Sequence, residues 1–143
     1  MGQLKSIKDG LKTAVSAAVT GCSVIVGVDP EKVDIERYST FVVIIPDLIE
    51  YEDNVRVMGE TGSVTQWGSF TWSLYLYAGH AGTGEDAIDR LDALITQVDS
   101  IAGTRPTTAC GNLERAVGYE MIGWLGGSPL IRQTWKHGRN PTA

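Results

Sequence analysis

The run Thr40-Phe41-Val42-Val43-Ile44-Ile45, closed by Pro46, constrains the fold more than any other stretch of the chain. A strand with one face in water alternates apolar and polar residues, because successive side chains point to opposite faces. An unbroken apolar, β-branched run therefore belongs to a strand covered on both faces. The chain must supply a layer for each side, which places this segment in the interior of a sheet.

The flanking segments supply candidates for those layers. Leu4, Ile7, Leu11, Ala14, Val15, Ala18 and Val19 recur at three- and four-residue steps, which predicts an amphipathic helix with Gly21 as its left-handed cap. Ser23 to Val28 is a short strand ending at Asp29-Pro30, a turn. Leu48 to Glu52 and Val55 to Met58 read as a hairpin turning at Asp53-Asn54. From Trp67 to Tyr77, alternation puts Phe70, Trp72, Leu74 and Leu76 on one face and Thr71, Ser73, Tyr75 and Tyr77 on the other.

Thr83, with Asp86 three places on, caps a second helix whose stripe is Ile88, Leu91, Leu94, Ile95, Val98 and Ile101, until Gly103. After a loop opened by Arg105-Pro106, Tyr119 to Leu125 and Leu130 to Lys136 are strands joined by Gly126-Gly127-Ser128-Pro129. The order predicts one α+β domain over 1–143, a mostly antiparallel mixed sheet with two main helices packed on one face and a flexible tail at 139–143.

Charge narrows the partners. Seventeen acidic against twelve basic residues give a net charge of −5, so the summed field repels phosphate backbones and anionic lipid. Arg132, Lys136, His137 and Arg139 thicken the basic residues at the C-terminus, and such a run reads as a solvated tail. Cys22 and Cys110 have no short spacing to each other or to a histidine, which excludes a local zinc knuckle or CxxC pair. They read as buried or half-buried free thiols in a reducing compartment. No apolar stretch approaches the roughly 20 residues that cross a bilayer, so no membrane partner is expected. Gly2 and Ser6 match a myristoylation pattern that is short enough to arise by chance.

The candidate sites are sparse. Ala78 to Gly84 is a glycine-rich strand-to-helix connection of the kind that can present amides to a phosphate, but Glu85 and Asp86 at the helix start repel an anion. His80 in that loop could serve as a general base, and no nucleophile accompanies it. Glu50, Glu52 and Asp53 could hold a hard cation, and more simply form a charged strand edge that prevents wrong pairing. No catalytic, cofactor-binding or metal-binding residue is assigned. Of the four tryptophans some suit a core, whereas Trp67 stands in a polar, glycine-rich loop where an interface anchor is useful, and Trp72, Trp124 and Trp135 are lesser candidates for the same role.

In the order of its pieces the chain resembles the tail terminator, or tail completion, proteins of long-tailed bacteriophages. The resemblance rests on the helix from Leu4 to Val19, the Thr40 to Pro46 strand with its Pro46-Asp47 exit, and a hairpin with a polar tip. The strand ending Tyr75-Leu76-Tyr77, a glycine-bearing turn, the helix from Glu85 to Ile101 and two terminal strands complete it. It implies a non-enzymatic virion protein, made in the host cytoplasm and placed at the head-tail junction. Its subunits form a hexameric ring that caps the tail tube, stops tube polymerisation and offers its other face to the head-tail connector, while DNA passes through without specific binding.

The ring or tube contact is expected on the Gly59 to Gly68 loop, at Gly62, Thr65, Gln66 and Trp67, with Glu50 and Glu52 on the adjoining strand edge. The rival readings are another connector or tube subunit of the same particle, and a small ligand-binding domain or enzyme using the 79–84 loop. A terminator makes a closed ring, a tube protein grows fibres, and an enzyme gives a discrete small oligomer whose melting responds to a ligand.

Overall fold

Phe41, Val42, Val43 and Ile44 are all fully buried, as a strand covered on both faces requires. The computed structural model describes residues 3–50, 69–79, 84–105, 110–115 and 118–139. Its elements in chain order are α1 (Gln3–Ala18), β1 (Ser23–Val26), β2 (Thr40–Glu50), β3 (Ser69–Ala78), α2 (Gly84–Asp99), β4 (Cys110–Arg115), β5 (Glu120–Leu125) and β6 (Ser128–Arg139). The strands form one mixed sheet in the order β1-β2-β3-β6-β4, with β5 also paired to β6. Among the described residues only β1 and β2 run parallel, so the α+β class with mainly antiparallel pairing holds.

Two layers bury β2. Val42 and Ile44 share a cluster with Phe70, Trp72, Leu74 and Leu76 of β3 and with Ile7, Leu11 and Val15 of α1 and Leu91, Leu94 and Val98 of α2. Phe41 and Val43 point the other way and pack with Tyr77, Leu130 and Val33. Parallel strands need a crossover. Here the crossover between β1 and β2 carries a 3₁₀ turn at Pro30–Lys32, and its Val33, Ile35 and Tyr38 pack into this second cluster. The alternation read from β3 holds, since Tyr75 and Tyr77 pack on the second cluster.

Pro46 does not end β2. The strand continues to Glu50 with a register shift between Pro46 and Leu48. The Ile44 carbonyl faces β1, accepting from the Gly27 amide at 3.0 Å. Pro46 has the same parity, and the β1 ladder stops at Ile44, so its missing amide has no β1 acceptor to lose.

Three further corrections follow from packing. Ile88 is 54% exposed and Ala87 is buried in its place, so the core stripe of α2 is Ala87, Leu91, Leu94 and Val98. Nothing in the pattern between Arg105 and Tyr119 predicts a strand, yet β4 lies there. Among its described side chains only Leu113 is buried, and the Leu113 amide and carbonyl bond to Thr104 and Gly103, a tertiary match that no periodicity reveals. The basic C-terminal cluster is not a tail but part of β6, which runs to Arg139, and His137 within it is 1% exposed.

Gly21 takes the expected left-handed φ of 61°. The turn between β5 and β6 is shorter than expected, with only Gly126 and Gly127 outside the strands at φ of 56° and 84°, as a tight primed hairpin turn requires. Gly79 is demanded by contact instead. Its amide donates to the Ser39 carbonyl at 2.6 Å, and a Cβ at Gly79 would land on that carbonyl oxygen. Gly79→Ala is expected to cost about 2 kcal/mol, as overpacking against a fixed backbone does; an unchanged urea midpoint would mean that the approach is loose.

Candidate functional site

Gly62, Thr65, Gln66, Trp67 and Glu52 lie outside the described residues, as do Asp53, the Val55 to Met58 strand, His80 and Thr83. Glu50 is placed by its backbone, opposite Ser69 at the end of β2. The other tryptophans divide between core and surface. Trp72 and Trp135 are buried, at 1% and 0% exposure, whereas Trp124 is 55% exposed.

A bulge explains the position of Trp124. Strict alternation along β5 would put Met121 and Trp124 on opposite faces. The register shifts between Met121 and Gly123, so Met121 opposes Ile131 and Trp124 opposes Pro129. Ile131 belongs to the helix-side cluster and Leu130, the next residue, to the other. Met121 and Trp124 therefore both face the helix side, and Ile122 and Leu125 pack into the second cluster. Tyr77 fixes the end of β5 from that side, its hydroxyl donating to the Leu125 carbonyl at 2.6 Å.

A polar hub joins α2 to this rim. The Asp99 carboxylate accepts from Gln133 Nε2 at 3.0 Å through Oδ1, and through Oδ2 from Arg115 at 2.5 Å and from the Tyr119 hydroxyl at 3.2 Å. Hydrogen bonding to Asp99 raises the Arg115 pKa, so the guanidinium is charged throughout. Desolvation, followed by the Asp99 charge, raises that of the Tyr119 phenol. Ile88, Asp92, Ile95 and Asp99 are spaced to share one flank of α2, so the hub turns that flank toward β5. Met121 (57% exposed), Trp124 and Tyr119 (45% exposed) thus lie along a strand that pairs only with β6 among the described residues, and the spacing puts the exposed Ile88 on the α2 flank that Asp99 turns to that side.

Other surfaces offer less. An open groove of about 390 Å³ is lined by Asp9, Gly10, Thr13, Ala14, Thr104 and Arg105. Hydrogen bonds from Lys5 and Lys8 hold the Asp9 pKa down at about 2, so it is ionised at any working pH and is no proton carrier near neutrality. Among the described residues no three His, Cys, Asp or Glu side chains gather as metal ligands. Cys22 is a half-buried free thiol whose burial raises its pKa to about 11. In a Cys110→Ser background, Cys22 should react with iodoacetamide about a hundredfold more slowly than free cysteine at pH 8, since only the thiolate attacks; a fast reaction would mean that the pocket opens.

No protein-family model and no curated protein matches the chain.

Proposed function

We propose that the chain is a structural assembly subunit of a phage virion, forming a hexameric ring that caps the tail tube, ends its polymerisation and provides the head-tail joining surface. The observation that carries the assembly role is the rim of β5, where Trp124 and Met121 stand more than half exposed on a strand that pairs only with β6 among the described residues. Tryptophan and methionine are enriched at the cores of protein interfaces, and an open edge invites a partner chain. The terminator role follows the order of elements, with the tail tube protein and the head-tail connector as its other partners. The acidic balance of the chain suits DNA passing through the ring without being held.

The test is the solution mass of the purified protein over a concentration series, with negative-stain imaging of any large species. A closed ring of about six subunits is the expected result. Fibres that lengthen with concentration would replace the terminator with a tube subunit. A monomer at every concentration, with a melting temperature raised by a nucleotide or other small ligand, would replace assembly with ligand binding.

A further inference from the structure

Exposed apolar side chains sort to opposite rims of the sheet, and the charges of the two helices sort with them. The β5 rim carries Met121, Trp124 and Ile88 beside α2, whose sequence holds five acids against one arginine. The β1 rim carries Leu4 and Val28, 39% and 38% exposed, beside α1, whose sequence holds three lysines against one aspartate. Helix α1 packs on β1 at that end of the sheet. Leu4, Lys8 and Lys12 fall four residues apart and Lys5 three before Lys8, with Lys5 and Lys8 both paired to Asp9, whereas Asp9, Gly10, Thr13 and Ala14 line a groove with Thr104 and Arg105, on the path to β4. The lysine flank therefore looks outward, away from β4.

These two rims complement each other and repel themselves. Two β5 rims face to face would set acid against acid, and two β1 rims lysine against lysine. A β1 rim against a β5 rim sets lysine against acid and covers Trp124 and Met121 with Leu4. Both rims also end in strands, β1 and β5, that pair one neighbour each among the described residues. We propose that the β5 rim, centred on Trp124 and Met121, is the docking site for the β1 rim of a second copy of this chain. The proposal rests on the assembly reading and deepens it by naming both sides of the contact. Such a contact is head-to-tail, so each copy keeps one free rim and the chain of copies closes only if its rotation returns to the start.

A mixing experiment tests it. Trp124→Lys and Met121→Lys each place a cation on the acidic rim, and Lys8→Glu with Lys12→Glu reverses the basic one. All these side chains are at least partly exposed, so unchanged thermal midpoints will show that the variants fold, and Met121→Lys stands in if Trp124→Lys does not. Each rim variant alone should weaken self-association about a hundredfold, as loss of an interface anchor does. An equimolar mixture of a β5-rim and a β1-rim variant still holds one intact contact per pair, and should form a two-subunit species that grows no further. If β5-rim variants assemble like the parent protein, or the mixture stays monomeric while the parent assembles, this contact is wrong and the assembly reading survives. A parent protein that is monomeric at every concentration overturns both.

Discussion

A His137→Ala variant is expected to lose about 4 kcal/mol of folding stability, from a cavity and an orphaned donor together. The imidazole is 1% exposed and lies on the helix-side face of β6, stacked on Phe70 with ring centroids 5.4 Å apart. Its Nε2 accepts from Trp72 Nε1 at 3.3 Å, so that nitrogen carries no proton. Alanine at 137 empties a ring-sized volume and leaves the Trp72 indole donor buried without this acceptor. His137→Gln keeps an acceptor and part of the volume, and should recover about half of the loss. Urea unfolding followed by tryptophan fluorescence measures both. A loss below about 1 kcal/mol in the alanine variant would show that water takes over both the cavity and the bond.

The same residue shows where sequence reasoning stops. His137 stands among Arg132, Lys136 and Arg139, and a cluster of basic residues near a terminus looks solvated. Strand alternation separates it from them. In β6 the residues Ile131, Gln133, Trp135 and His137 share the buried face, whereas Arg132, Thr134 and Lys136 share the other, and only the strand's true length to Arg139 brings His137 into the pattern. The apolar run of β2, the stripe of α1 from Ile7 to Val19 and the alternation of β3 were legible because each is a local period with one solution, whereas Leu4, read into the same stripe, is 39% exposed.

Trp124 was not legible, because its face depends on a bulge that exists only in the pairing of β5 with β6. Ile88 was misplaced for a related reason. Spacing admits either Ala87 or Ile88 at the start of the α2 stripe, and the sheet beneath selects the smaller residue. The four loop positions from Gly62 to Trp67 chosen for the contact lie outside the described residues, so the exposed rim on β5 is a second surface rather than a replacement.

Asp99→Ala is expected to cost about 3 kcal/mol, and the reason lies beneath the ion pair rather than in it. Exposed ion pairs contribute little, and the Arg115 guanidinium can turn back to water once released. Gln133 cannot. Its side chain is fully buried, its Oε1 accepts from Trp135 Nε1 at 3.3 Å, and its Nε2 donates to Asp99 Oδ1 at 3.0 Å. Removing the carboxylate takes the Asp99 acceptor from that amide and leaves it the Tyr119 hydroxyl, a loss of about 1 to 3 kcal/mol by itself, and unties Tyr119 from α2. Asp99→Asn keeps an acceptor for Gln133 while discarding the charge, so it should retain most of the stability. Hydrogen exchange adds a local readout: amides of β5 should exchange faster in Asp99→Ala while those of β2 and β3 track only the global loss. Equal acceleration everywhere would mean that the hub supports the whole core and does not specifically hold the β5 rim in place.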